Sequence, residues 1–175
     1  MTANILEQSN PFLPEGYEAP VMGGGYMKLI DGDNVFRVLS SAIVGYEYWT
    51  TENKPIRSKV SFTETPNIKT NKDGSSQKVK HFWAFTVWNY QTKSVEILQL
   101  TQASIQGAIT NLVKDEDWGD PKGYDIKISR SGSGIETEYA VNPKPHKEIS
   151  EDIKTAYSEK KIKLEALYSG ENPFV

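Results

Sequence analysis

Eight cationic side chains fall between positions 54 and 93 of this sequence: Lys54, Arg57, Lys59, Lys69, Lys72, Lys78, Lys80 and Lys93. Only Glu64 and Asp73 oppose them there. Aromatic residues bracket the run, with Tyr46, Tyr48 and Trp49 before it and Phe82, Trp83, Trp88 and Tyr90 towards its end. Neither group breaks bonds on its own. Together they have the two capacities that hold an unpaired polynucleotide. Lysine and arginine neutralise phosphates and release counterions. Exposed rings stack on bases, each for about 1–3 kcal/mol, with little regard to sequence. The residues assigned to such an interface are Tyr48, Trp49, Lys54, Arg57, Lys59, Lys78, Lys80, Phe82, Trp88, Tyr90 and Arg130.

Other chemistries find less support. The chain has no cysteine, so it has neither a disulfide framework nor a thiol nucleophile. His81 and His146 are its only imidazoles, too few for a structural zinc site. No Gly-rich phosphate loop or nucleophile motif is present, and no cofactor is expected. Asp115, Glu116, Asp117 and Asp120 supply oxygen ligands of the kind Mg²⁺ takes, as a metal-dependent nuclease would need. They share one loop with Gly119 and Pro121, and a solvated turn accounts for them.

The elements that must position these groups can be read from periodicity. Residues 1–25 contain Pro11, Pro14, Pro20 and Gly23-Gly24-Gly25, which predicts a flexible arm. Residues 35–49 alternate as one long strand, with Gly45 as the place for a bend. A short strand is expected at 56–62 and a loop at 63–77. Residues 79–90, rich in aromatic and β-branched types, give the clearest strand, paired with 94–100. Both faces of 79–90 are apolar. The face with Lys80 and Thr86 is the more polar, so Phe82, Trp88 and Tyr90 are expected outward, with Trp83 and Phe85 inward. Thr101 is expected to cap a helix whose stripe is Ile105, Ala108, Ile109, Leu112 and Val113. Strands follow at 124–129 and 135–141, stopped by Pro143 and Pro145. Ser150 opens a charged, weakly packed helix running to about Tyr168, ended by Gly170.

Long bent strand, two-stranded hairpin, helix and second hairpin is the order of a five-stranded OB-fold barrel, with one helix between strands 3 and 4. The expected organisation is therefore an arm (1–25), a mainly β domain (26–147) and a C-terminal helix and tail (148–175). Net charge is −3, but the balance is −4 over residues 1–34, +3 over 35–147 and −2 over 148–175. That asymmetry places the cationic surface on the β domain. No run of about 18 apolar residues exists, and Met1 to Asn10 has no signal-like apolar core, so a cytoplasmic location without membrane contact is expected.

Several segments carry a resemblance. They are Gly25-Tyr26-Met27-Lys28-Leu29, Asn34-Val35-Phe36-Arg37-Val38-Leu39, Lys80-His81-Phe82-Trp83-Ala84-Phe85, Trp118-Gly119-Asp120-Pro121 before Tyr124-Asp125-Ile126, and Arg130. Over about residues 25–145 the chain resembles the single-stranded DNA-binding proteins of tailed phages. The resemblance implies an OB fold and sequence-tolerant binding of single-stranded DNA in replication, recombination or repair, in a host cytoplasm, with self-association on DNA allowed. The end, Ser169-Gly170-Glu171-Asn172-Pro173-Phe174-Val175, is similar to the acidic, Pro-Phe-ended tips through which bacterial relatives recruit replication or recombination proteins. It has only one acid in its last six residues, and an ordinary frayed terminus also accounts for it. The zinc-binding insert of some phage relatives lacks its cysteines here. A protein-interaction adaptor with the same barrel and no DNA affinity is the other alternative.

Overall fold

The computed structural model describes residues 12–15 and 25–175. The arm expected over 1–25 falls mostly outside them. Seven strands, β1 (Gly32–Val38), β2 (Ile43–Trp49), β3 (Pro55–Ser58), β4 (Lys80–Asn89), β5 (Ser94–Leu100), β6 (Tyr124–Ser131) and β7 (Glu138–His146), form one antiparallel sheet. Its order is β3-β2-β4-β1-β6-β7, and β5 pairs with β4. Helix α1 (Ala103–Lys114) lies between β5 and β6, while α2 (Glu151–Glu159) and α3 (Ala166–Ser169) follow β7. Among the described residues no ladder joins β5 to β7. The sheet is open, and closure into a barrel is not part of it.

The long strand expected over 35–49 is present as two pieces on one edge of β4. Val38 pairs with Val87 and Ile43 with Ala84, so residues 39–42 hold two more residues than the strand opposite. The surplus makes the bend, as a bulge does. Its polar groups are satisfied locally: Leu39 N donates to Thr86 O at 2.8 Å, and Thr86 N donates to Ser40 Oγ at 2.8 Å. The bend is thus at Leu39–Ala42, not at Gly45. Gly45 serves a close approach instead, because a Cβ there would run into the Ser58 carbonyl oxygen of β3.

One face of the sheet packs against α1. Phe36, Phe85, Val87, Leu98, Leu100, Ile126 and Ile128 meet Ile105 and Ile109, the buried stripe of the helix. Thr101 does not cap α1; the cap position is Gln102, whose Oε1 accepts instead from Thr101 N at 3.1 Å. The opposite face is also covered. Phe82, Ala84 and Ile97, all fully buried, pack beneath Leu167 with Ile162, Leu164, Tyr168 and Phe174 alongside. Leu39 and Val95 pack against Ile153 of α2.

The C-terminal region therefore differs from a single loose helix. Ser150 does cap α2, its Oγ accepting from Ile153 N at 3.4 Å. The helix ends at Glu159, and the chain then runs over the sheet to α3, where Gly170 in the left-handed region stops it. Burial on both sides explains why β4 is apolar on both faces. Pro143 and Pro145 lie within β7, tolerated because β7 is an edge strand.

Candidate nucleic-acid interface

A cleft of about 720 Å³ opens where β2, β3 and the segment preceding β1 meet. Its walls carry Lys28, Lys54 and Arg57, the rings of Tyr26 and Trp49, and Pro55, Ile56 and Gln99. Leu167, Gly170 and Glu171 of the C-terminal region form one end. Alternation along β2 explains the geometry. Tyr48 points into the protein, while its neighbour Trp49 is 39% exposed. The turn at Thr50–Lys54 then reverses the chain and sets Lys54 and Arg57 beside that ring, with Trp49 paired to Pro55 and Glu47 to Arg57.

Glu47 organises the floor. Only 3% exposed, its carboxylate accepts from Arg57 Nε at 2.9 Å, Gln99 Nε2 at 2.7 Å and Trp49 Nε1 at 3.1 Å. A buried carboxylate needs such donors. Here they include the indole N–H, so Glu47 fixes the orientation of the Trp49 ring. Burial, opposed by Arg57 and reinforced by Glu47, raises the Tyr26 hydroxyl above its ordinary pKa, so this ring stays neutral.

Of the residues expected at the interface, Trp49, Lys54 and Arg57 line the cleft. Lys59 is exposed nearby, 3.3 Å from Glu165 and 5.2 Å from the centre of the Tyr168 ring. Lys78 and Lys80 are exposed and outside the cleft lining. Tyr48 is buried, its ring edge-on to Phe62 at 4.9 Å and its hydroxyl donating to Pro66 O. Phe82 has no surface to offer a base, because Tyr168 and Leu167 cover it.

Trp88 and Tyr90 are half-buried against the Leu39, Val95 and Ile153 cluster. Tyr90 donates to Asp125 at 2.8 Å, and burial together with that carboxylate pushes its pKa up to about 12. Arg130 is half-buried, donating to Leu29 O at 3.1 Å. The outward face expected for β4 is thus an inner face, and its rings are packing groups.

The acidic loop is made of turns. Asp115 Oδ1 accepts from Asp117 N at 2.8 Å, and Asp120 Oδ1 accepts from Lys122 N at 2.9 Å. Among the described residues no three acidic or imidazole side chains converge as a metal site. Lys28, Tyr26 and Gln99 were not assigned to the interface from the sequence. Lys28 lies in a stretch poor in base, and Gln99 shares its composition with any strand.

Comparison with family models, with curated proteins and with solved structures returned no match to this chain. The cleft must therefore be interpreted from its own chemistry. No helix among the described residues is long and apolar enough to cross a membrane.

Proposed function

We propose that this protein binds single-stranded DNA without sequence preference, through the cleft between β2, β3 and the segment before β1, and does no chemistry on it. The observation that carries the proposal is one exposed indole held by Glu47 among Lys28, Lys54 and Arg57. A fixed ring beside exposed lysines suits a stacked base followed along its backbone by neutralised phosphates. A planar base offers its face to Trp49, while Lys28 and Lys54, both exposed, reach for the flanking phosphates.

The element order adds support. With β1 and β2 taken as one bent strand, the succession strand, β4, β5, α1, β6, β7 is that of an OB fold, enlarged by β3 and the basic loop after it. Among the places where OB-folds hold oligonucleotides is the connection between their first and second strands, which here carries Lys54 and Arg57. On this proposal the protein belongs with the phage single-stranded DNA-binding proteins and acts in replication, recombination or repair.

Titration with oligo-dT, read by tryptophan emission and repeated with Trp49→Phe, tests the proposal. Quenching in the native protein that a duplex of equal length fails to compete supports it. Absence of quenching at low salt, together with absence of a gel shift, overturns it and favours an adaptor that contacts protein alone.

A further inference from the structure

The sequence contains the tripeptide Asn-Pro-Phe twice, each time followed by an aliphatic residue: Asn10-Pro11-Phe12-Leu13 and Asn172-Pro173-Phe174-Val175. The second copy is seated. Pro173 is buried, and its carbonyl accepts from Lys163 N at 2.7 Å. Asn172 Oδ1 accepts from Phe174 N at 2.9 Å, a turn that any Asn-x-Phe segment can form within itself. The Phe174 ring stands edge-on to Tyr26 at 5.6 Å, with the Lys160 ammonium 5.5 Å from its centre. Gly25 is required beneath it, since a Cβ there would overlap the ring. The seat is thus matched to a proline, a phenyl ring and one main-chain acceptor. The first copy provides the same three features, and its Phe12 is 98% exposed and Leu13 51% exposed.

We infer that the seat formed by Gly25, Tyr26, Lys160 and Lys163 is a binding site for Asn-Pro-Phe-aliphatic peptide, and that Asn10–Leu13 of the same chain is its second ligand, entering when Asn172–Val175 leaves. Reach and concentration favour the same chain over another. Residues 14–24 link Leu13 directly to Gly25, a wall of the seat, and a linker that short spans at most about 40 Å. Tethering at that length gives an effective concentration on the order of millimolar. The seat and the cleft share Tyr26, but the inference does not rest on DNA binding, because thiol linking and peptide competition read the seat with no DNA present.

The absence of native cysteine makes the test direct, because an introduced thiol pair reacts alone. The pairs Lys163→Cys with Val175→Cys, and Lys163→Cys with Leu13→Cys, are joined in the full chain by a short bis-maleimide. The first pair should link efficiently and the second poorly. In a Pro173→Ala, Phe174→Ala background that retains its melting transition, the Leu13 pair should link several-fold faster, within one chain. Adding Phe12→Ala should abolish that gain. In the otherwise native chain, a peptide of residues 8–15 should slow linking of the Val175 pair, and its Phe12→Ala form should not. Four results overturn the inference: no gain in the substituted background, a gain that survives Phe12→Ala, linkage mainly between chains, or no competition by the peptide.

Discussion

At the scale of single residues, the aromatic side chains divide into those that meet solvent and those that hold the sheet together, and substitutions should separate the two. Trp49→Ala should weaken oligo-dT binding by about 1–3 kcal/mol and leave the melting temperature within a few degrees of native, as loss of one stacking platform does. Phe82→Ala should instead lower stability by about 3–5 kcal/mol, measured by urea unfolding, because it empties a fully buried site. The same distinction applies to charge. Arg37, 1% exposed, donates to Asp125 at 2.8 Å, and Lys147 approaches the other oxygen of that carboxylate at 3.2 Å. Removing one member of a buried pair strands the other.

Tyr90 shares that carboxylate and gives the site a pH signature. Its folded pKa, about 12, lies above the ordinary value near 10, so folding favours the neutral phenol. Its stabilising contribution is complete below about pH 10 and is lost as pH rises towards about 12, where the unfolded chain has already released its proton. The native protein should therefore lose stability more steeply over that window than Tyr90→Phe, read as the urea midpoint at successive pH values. Equal slopes would assign the alkaline loss to other groups.

At the scale of elements, the C-terminal region behaves as part of the sheet's packing. Ending the chain after Lys161 should bare Phe82, Ala84 and Ile97, lower the melting temperature and raise binding of a hydrophobic dye. Gly45→Ala should push β3 away from β2 and weaken both stability and DNA binding, since β3 carries Arg57. Strands β4 and β5 and helix α1 were legible from periodicity alone. The inner face of β4 was not legible. A strand apolar on both sides states that both are covered, but not by what. The cover here arrives from residues 162–174, far along the chain and too sparse in apolar spacing to announce itself. The bend at Leu39–Ala42 was hidden because its residues, Leu39-Ser40-Ser41-Ala42, include no glycine or proline to mark a break, and only pairing with β4 reveals the surplus.

At the scale of the whole molecule, an overall negative charge coexists with a cationic cleft, and salt should expose the difference. Arg57 is already paired with Glu47, so Lys28 and Lys54, with Lys59 close by, correspond to about two or three neutralised phosphates. Affinity for oligo-dT should then fall by about 1.4–2 logarithmic units per decade of salt, from the single-strand coefficient of about 0.7 per phosphate. A salt-independent affinity would remove the lysines from the interface. The ends of the strand order bear on how copies meet. At one end β3 has four residues and begins with Pro55; at the other β7 carries Pro143 and Pro145 with Lys144 between them. Proline has no amide hydrogen to offer an incoming strand, and a lysine repels an apolar one. On the proposed function, molecules side by side on single-stranded DNA would be guarded at these two edges against zipping their sheets into a common ribbon. A neighbour contact there would be left to side chains, and would stay reversible once the DNA is removed.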